Sequence, residues 1–263
     1  MDFGMPTLLE LPDLEANAAL CREQGLAFVE LSMDMPEYQP DKIPAQFLRN
    51  IARDYGVYFT FHLSGFLNPC DFNDKIAAAY TQTALESIDI AKAARVPFIN
   101  MHLPKSDQFT LPDKKIVLFD KYEQAFLRKL ICFRDACTAA IGGADVSIGI
   151  ENTRVFQETY GQTALAVLLE NPVFAVTFDT GHDAGNGFQQ RPVIDRHSAR
   201  LGHMHLHDAK DKADHLALGD GTLALAGYLD LAERHDCRVV LEVKTGQGLR
   251  QSVDWLRERR YLP

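Results

Sequence analysis

The stretch VSIGIENTRVFQETYGQTALAVLLENPVFAVTFDTGH, residues 146–182, contains one complete unit of the pattern on which the fold depends. Its two mostly apolar runs, Val146–Asn152 and Val176–Asp179, are typical of strands covered on both faces in a parallel sheet. Between them, Gln162–Glu170 has the spacing of a helix and ends at the Asn171–Pro172 break, because a residue before proline avoids the helical region. The stretch therefore predicts a strand, a helix and a second parallel strand.

The same alternation extends along the whole chain. The predicted strands are Asp2–Met5, Phe28–Met33, Tyr58–Leu63, Phe98–Leu103, Val146–Asn152, Val176–Asp179, Gly202–His207 and Arg238–Val243. The predicted helices are Leu14–Gln24, Asp74–Arg95, Asp113–Ala140 (as one helix or two), Gln162–Glu170, Leu223–His235 and Leu249–Arg259, while 191–200 is ambiguous. Eight such units in about 250 residues are typical of an α/β protein built as one (β/α)8 barrel. An open doubly wound sheet would have fewer strands, and the GxGxxG turn of a dinucleotide-binding sheet is absent.

Composition sets broad limits on the class of protein. The 263 residues are 46% hydrophobic and 24% charged, which excludes wholesale disorder, and no linker divides them, so residues 1–263 are expected to form a single domain. The net charge of −9 argues against nucleic acid or an anionic membrane as the main partner. The five cysteines are scattered, and the N-terminus carries acid where a signal peptide would carry Lys or Arg, so we expect a cytoplasmic protein.

Polar side chains follow six successive predicted strands. Barrel enzymes carry their active sites at the carboxyl ends of the strands, so these side chains are expected to meet at one rim. They are His62, His102, Glu151, Asp179 with His182, His205 with His207, and Glu242, and His215 follows the seventh strand. Carboxylates and imidazoles gathered in this way would be destabilising unless a cation neutralised them. A set of His, Asp and Glu without Cys predicts a divalent metal such as Zn²⁺, Mn²⁺ or Co²⁺.

Three histidines share one face of the seventh strand. His203, His205 and His207 alternate with Met204 and Leu206, so their side chains point the same way at different depths of the barrel. They are not expected to bind one ion together. His203 is expected one layer deeper and His207 nearer the substrate.

Seven motifs carry a resemblance to a known family. FTFHL, NMHL, GIENT, FDTGH, MHLHDAK, HLALGDG and LEV occur in that order across essentially the whole chain. They resemble the xylose isomerase-like TIM barrel superfamily, in particular its sugar phosphate isomerase/epimerase branch. The superfamily also contains inosose dehydratase-type enzymes and endonuclease IV-type apurinic endonucleases.

The resemblance implies a set of metal ligands. In the epimerases one Mn²⁺, Co²⁺ or Mg²⁺ is held by residues that correspond to Glu151, Asp179, His205 and Glu242. The endonucleases use the same four together with further histidines to hold three Zn²⁺ ions. The matching positions in this chain are His62, His102, His182 and His215. The chain departs from the endonuclease pattern Asp-Arg-His at Ala213-Asp214-His215, and it lacks the Arg by which epimerases contact substrate after the seventh strand.

The first functional hypothesis is a metal-dependent isomerase or epimerase acting on a small sugar or polyol, or a keto-sugar lyase or dehydratase with the same intermediate. The metal would stabilise an enediolate, while Glu151 and Glu242 remove and return a proton as paired acid and base. His182 and His207 would bind substrate hydroxyls. Lys105 is a candidate contact for a distal hydroxyl or phosphate, and Glu158 lies where epimerases place a substrate-contacting Glu.

The alternative is a multi-zinc phosphodiesterase of the endonuclease IV type, in which two or three metals activate water and hold the scissile phosphate. The predicted loops provide no basic cluster for DNA, so nucleic acid is not the expected partner. Association into a homo-oligomer is left open by the sequence.

Overall fold

Eight parallel strands close into a barrel in the computed structural model, which describes residues 1–263. The barrel strands are β1 (Asp2–Pro6), β2 (Phe28–Ser32), β3 (Tyr58–His62), β4 (Phe98–His102), β7 (Ser147–Glu151), β8 (Phe174–Asp179), β9 (Leu201–Leu206) and β12 (Arg238–Leu241). Strands follow one another around the barrel in chain order, and β12 pairs with β1 to close it. The predicted α/β class and eight-stranded barrel are therefore confirmed, and each predicted strand has its counterpart.

Two short antiparallel hairpins lie outside the barrel. The first, β5 (Gln108–Thr110) with β6 (Lys115–Val117), follows barrel strand β4. The second, β10 (Asp208–Lys210) with β11 (Ala213–Leu216), follows β9. Neither hairpin pairs with a barrel strand. Each lies in the connection that leaves the carboxyl end of a barrel strand, so both add to the rim that carries the polar side chains.

Helices cover the outside of the barrel. They are α1 (Leu14–Glu23), α2 (Ala45–Tyr55), α3 (Asp74–Ala94), α4 (Leu118–Lys121), α5 (Glu123–Ile141), α6 (Thr159–Leu169), α7 (Thr180–Gly185), α8 (Arg191–Arg196), α9 (Leu225–Arg234) and α10 (Gly246–Glu258). Local chemistry sets several ends: the Asp13 carboxylate accepts from the Ala16 N–H at the start of α1, and Gly56 ends α2 in the left-handed region at φ 69°. None of the helices combines the length and the apolar character that crossing a bilayer requires.

Two helix predictions were wrong. Helix α2 was not predicted, because only Leu48 and Ile51 of its eleven residues are buried and its apolar face is correspondingly narrow. The helical segment predicted for Asp113–Ala140 starts late, because Lys115–Val117 is a strand of the first hairpin. The break at Tyr122 divides the rest into α4 and α5, in agreement with the two-helix form of that prediction. The β-branched pair Ile116 and Val117 favours the extended backbone there.

The interior of the barrel is unusually polar in the half nearest the carboxyl ends. Glu30, Thr60, Asn100, Thr177 and His203 are all buried there. Barrel interiors are normally filled by branched apolar side chains, so each of these groups requires a partner inside the barrel. The layer below is aromatic: the rings of Phe28 and Tyr58 stack at 5.1 Å, and the ring of Phe98 stacks on His203 of the polar layer at 4.6 Å.

Gly149 lies where this interior is tightest. A Cβ at this position would lie 2.3 Å from Thr177 Oγ1 and 2.4 Å from Phe98 Cζ. We predict that Gly149→Ala lowers the free energy of unfolding by about 1–3 kcal/mol, the usual effect of overpacking a core. Urea unfolding followed by circular dichroism measures this. The matched change Gly227→Ala on α9 meets no atom within 4 Å, so it is expected to leave stability unchanged or raise it slightly. Equal stability of the two variants would contradict the described packing.

Candidate metal centre and active site

The carboxyl ends of the barrel strands bring the predicted polar residues together at one rim. His62, His102, Glu151 and Asp179 are the last residues of β3, β4, β7 and β8, His205 lies one residue before the end of β9, and Glu242 follows β12 directly. Register fixes their neighbours across the sheet: His102 pairs with Glu151, and Asp179 pairs with His205. Four of them, His62, His102, Glu151 and Glu242, line a cavity of about 350 Å³ together with His182 and residues of the neighbouring loops, whereas Asp179 and His205 lie behind its wall.

Glu151 is the centre of one half of the cluster. Its Oε2 lies 3.1 Å from His62 Nε2 and 3.4 Å from His102 Nε2, and its Oε1 lies 3.1 Å from His182 Nδ1. The Asn100 side-chain amide also donates to it. Burial alone would raise the pKa of Glu151, but the surrounding imidazoles, His205 and His102 foremost, hold it well below its usual range. This carboxylate is therefore ionised although it is only 1% exposed.

His205 joins the two halves of the cluster. Its Nδ1 lies 3.1 Å from Glu242 Oε2, 3.5 Å from Glu151 Oε2 and 3.8 Å from Asp179 Oδ2. Burial opposes the charged form of the ring, but the carboxylates around it, Glu151 first, raise the pKa of His205 well above its usual value. Three acidic side chains therefore converge on one imidazole nitrogen.

Two local devices hold Asp179. Its Oδ1 accepts from the backbone N–H of His182 at 2.5 Å, which starts α7. The side chain of Asn152 brackets its backbone, accepting from Asp179 N at 2.6 Å and donating to Asp179 O at 2.9 Å. His207 Nε2 lies 3.4 Å from both carboxylate oxygens. The carboxylate is completely buried and fixed in direction before any ligand binds.

The second hairpin, β10–β11, extends the cluster above Glu242. It places His215 Nε2 at 3.3 Å from Glu242 Oε1, and the same oxygen lies 3.3 Å from Lys244 Nζ. The His215 ring stacks on His207 at 4.3 Å. His215 has a φ of 52°, so the hairpin holds it in the left-handed region, and a non-glycine residue there is uncommon.

The donor set fits a divalent cation. Oxygen and nitrogen atoms of Asp179, His205 and Glu242 lie within 4.8 Å of one another, and so do those of Glu151, Asp179 and His182. His205 Nδ1, Glu242 Oε2 and His102 Nε2 are buried without a hydrogen-bond partner. Buried polar atoms are normally satisfied, so these carboxylate and imidazole atoms, which face one another, are suited to act as ligands of one divalent cation.

The other sequence-predicted residues lie at different distances from this cavity. His182 lines it, and His62 lies between Glu151 and the Leu63 carbonyl, to which its Nδ1 donates at 2.7 Å. Burial disfavours the charged His62 ring, but Glu151 raises its pKa to about 9. His207, suggested as a substrate contact, is completely buried between Asp179 and His215 and does not line the cavity. Lys105 and Glu158 line a neighbouring groove instead.

The sequence of the chain, compared with models of known families, matches one of them over most of its length. The sequence model of the family described as xylose isomerase-like TIM barrel matches residues 18–259. This chain belongs to that family. The resemblance carried by the seven motifs is thereby confirmed. A search of curated protein sequences found no match.

Solved structures of sugar epimerases share the fold of this xylose isomerase-like barrel. A D-tagatose 3-epimerase-like protein superposes with a TM-score of 0.79 at 19% identity, over 99% of this chain and 97% of that chain. D-allulose 3-epimerase from Methylomonas sp., in complex with D-allulose, gives 0.72 at 13% identity over 99% and 97%. The 3-keto-D-glucoside 4-epimerase from E. coli gives 0.73 at 14% identity over 98% and 99%.

One member of the cluster was missed by the sequence analysis. Glu30 of β2 lies below the rim, where its Oε2 accepts from His203 Nε2 at 3.0 Å and from the Thr60 hydroxyl at 3.2 Å, and its Oε1 lies 2.9 Å from His205 Nε2. Burial would raise the pKa of Glu30, but His205 and His203 lower it well below its usual value. The signal was present, because Glu30 is the one charged residue within the apolar run Phe28–Met33. His203, expected one layer deeper, contacts Glu30 there.

Glu30 holds His203 and His205 beneath the rim of this xylose isomerase-like barrel, so its removal should lower the stability of the protein. We predict that Glu30→Ala lowers the free energy of unfolding of the metal-free protein by about 3–5 kcal/mol, because His203 and His205 lose a buried partner. Glu30→Gln keeps one acceptor and should cost less. Urea titration of chelator-treated protein measures both, with exposed Glu233→Ala as the control expected to change stability by less than about 0.5 kcal/mol. A Glu30→Ala variant as stable as the control would show that the contact is dispensable.

Proposed function

We propose that this protein is a divalent-metal-dependent sugar isomerase or epimerase, or a keto-sugar lyase or dehydratase that starts with the same proton abstraction. The observation that carries the proposal is the convergence of Glu151, Asp179 and Glu242 on His205 Nδ1 at the carboxyl ends of the barrel strands. In barrel enzymes this rim carries the active site. The printed names of the solved neighbours, epimerases of tagatose, allulose and a keto-glucoside, support the same class of reaction.

The proposed metal ligands are Glu151, Asp179, His205 and Glu242. Three carboxylates and one imidazole form a hard donor set that suits Mn²⁺, Co²⁺, Mg²⁺ or Zn²⁺. When bound, such an ion polarises the carbonyl and adjacent hydroxyl of a sugar. Asp179 is completely buried and held by Asn152, so it would act in binding rather than in proton transfer.

Glu151 and Glu242 are the proposed acid–base pair. Both line the cavity, and they contact His205 Nδ1 through their Oε2 atoms. Burial would raise the pKa of both, yet the neighbouring imidazoles, His205 foremost, lower it, so either carboxylate can be ionised and act as the base. That carboxylate would take the proton from the carbon next to the carbonyl, and the other, having taken up a proton from solvent, would give it to the same carbon. Return on the opposite face inverts that carbon, which is an epimerisation.

His182 is the proposed contact for substrate hydroxyls. It is about 30% exposed, lines the cavity, and approaches Glu151 Oε1 and the Asn152 carbonyl through Nδ1, at 3.1 and 3.0 Å. Burial lowers the stability of its charged form, but the Glu151 and Asp179 carboxylates raise its pKa to about 10. Its Nδ1 is therefore occupied, which leaves Nε2 to donate to a hydroxyl.

A second candidate function has one observation in its favour. Three histidines outside the four proposed ligands also lie close to them. Ligand atoms of His62, Glu151 and His205 lie within 4.8 Å of one another, and so do those of His207, His215 and Glu242. These sets correspond to the extra sites that a multi-zinc phosphodiesterase would require. The number of bound ions separates the two functions.

Loss of either carboxylate should stop turnover. We predict that Glu151→Gln and Glu242→Gln each lower the rate of proton exchange at the carbon next to a ketose carbonyl by about 10²–10⁴-fold, since a neutral amide cannot act as the base. Exchange into D₂O followed by NMR measures it, with metal content and circular dichroism recorded on the same samples. Glu233→Gln, on the exposed face of α9, is the matched control. Activity within tenfold of the control in either variant would exclude the paired-carboxylate mechanism.

Metal stoichiometry is the second test. We predict about one Mn, Co, Mg or Zn per chain by elemental analysis, and reversible loss of exchange activity on treatment with a chelator. His215→Asn should leave the number of bound ions per chain unchanged, because His215 is not one of the four proposed ligands. Two or three zinc ions per chain, reduced by His215→Asn, would overturn the one-metal proposal in favour of the phosphodiesterase. Full activity without metal would overturn both.

A further inference from the structure

A second cavity adjoins the metal centre. It has a volume of about 800 Å³, against about 350 Å³ for the cavity above Glu151 and Glu242. His102 lines both, so the two share a wall. We call the larger one the side groove, formed between the connection after β4 and the connection after β7. Its size exceeds what the reacting end of a sugar requires, and it lies directly beside the site where that end would bind.

The first hairpin builds the outer wall of the side groove. Gln108, Lys115 and Val117 of β5–β6 line it. The hairpin is held at its base, where Ser106 N donates to Tyr160 Oη at 3.1 Å and Phe119 N donates to Ser106 Oγ at 3.0 Å. The rings of Phe119 and Tyr160 pack edge to face at 5.3 Å. The wall is therefore fixed by packing and hydrogen bonds, as a binding surface requires.

Three cations in the side groove have no acidic partner. Lys105, Lys115 and Arg154 line it, and none forms an ion pair with a carboxylate of the protein. Asp107 and Glu158 are the acidic residues of the lining, so the groove carries a local excess of positive charge. Screening limits electrostatic interactions to about 8 Å at physiological salt, so this local excess outweighs the net charge of the protein.

We infer that the side groove binds an anionic group, a phosphate or a carboxylate, on the part of the substrate remote from the reacting carbonyl. Lys105 and Lys115 supply point charges, and the Arg154 guanidinium supplies a fork that matches the oxygens of either anion. The substrate class becomes a phosphorylated or acidic sugar rather than a neutral one. This inference rests on the proposed function for the position of the reacting end.

The chain length between the two sites agrees with such a substrate. Three residue steps separate His102, in the shared wall, from Lys105, so their Cα atoms lie at most about 11 Å apart. The Lys105 side chain can close part of that distance from the groove side. A single sugar chain with a terminal anionic group therefore spans the centre and the groove without a second sugar unit.

Kinetics on paired substrates test the inference. The two substrates are a free ketohexose and the same ketohexose with a terminal phosphate. The groove variants are Lys115→Met and Arg154→Met. Lys114→Met is the matched control, because Lys114 neighbours Lys115 on the hairpin but does not line the groove. Each groove variant should raise KM for the phosphate ester about tenfold, and leave KM for the free sugar and both kcat values unchanged. Equal effects on both substrates would overturn the inference.

A binding measurement separates failure of this inference from failure of the proposed function. Inorganic phosphate titrated into the metal-free protein by calorimetry requires no turnover. We expect its Kd to rise about tenfold in Lys115→Met and in Arg154→Met and to stay unchanged in Lys114→Met. That result with no turnover of any sugar would retain the groove and reject the isomerase. No binding to the wild type, or the same Kd in all four proteins, would reject the groove whatever the enzyme does.

Discussion

The closed barrel depends on the mutual neutralisation of buried carboxylates and imidazoles. Glu30, Glu151, Asp179 and the partly buried Glu242 all lie within 4 Å of His205, and any of them left unpaired would cost several kcal/mol. His205 contacts three of these carboxylates within 3.5 Å. The pKa of His205 is raised by these carboxylates, and those of Glu30, Glu151 and Glu242 are lowered by His205. A bound divalent cation would take over part of this charge balance from the protonated imidazole.

The need to keep these charged groups paired explains why the backbone positions around the site are fixed by packing and hydrogen bonds. Gly149 leaves room for Thr177 and Phe98 one layer below the proposed ligands, and Asn152 fixes the backbone of Asp179 on the adjacent strand. Glu30 holds the imidazole of His205 in place from the layer below. A ligand set that converges before binding loses less conformational entropy when an ion arrives. The polar interior is thus the support for the rim, and its hydrogen bonds extend two layers into the barrel.

The barrel strands and most residues of the candidate site were predictable from the sequence. The remaining features were not predictable, and the physical reason differs from one to the next. Periodicity located all eight barrel strands because strands covered on both faces are mostly apolar. The rim residues followed from counting what each strand ends with. Helix α2 escaped because its buried face consists of only two residues. The position of the hairpin β5–β6 depends on the hydrogen bond from Ser106 N to Tyr160 Oη, and the burial of His207 depends on its contact with Asp179. Both pairs join segments far apart in the sequence, which no local pattern encodes. Glu30 is different, since a lone acid within an apolar run was a readable sign.

The hairpin β5–β6 has its own pattern of main-chain hydrogen bonds, separate from those of the barrel. Evolution can therefore lengthen, shorten or recharge it without altering the register of any barrel strand. The same independence makes it a natural place for engineering: under the role proposed for the side groove, a library confined to residues 107–117 would change the preference for anionic substrates and leave the rim residues unaltered. Such a division would let selectivity and reactivity change at different rates.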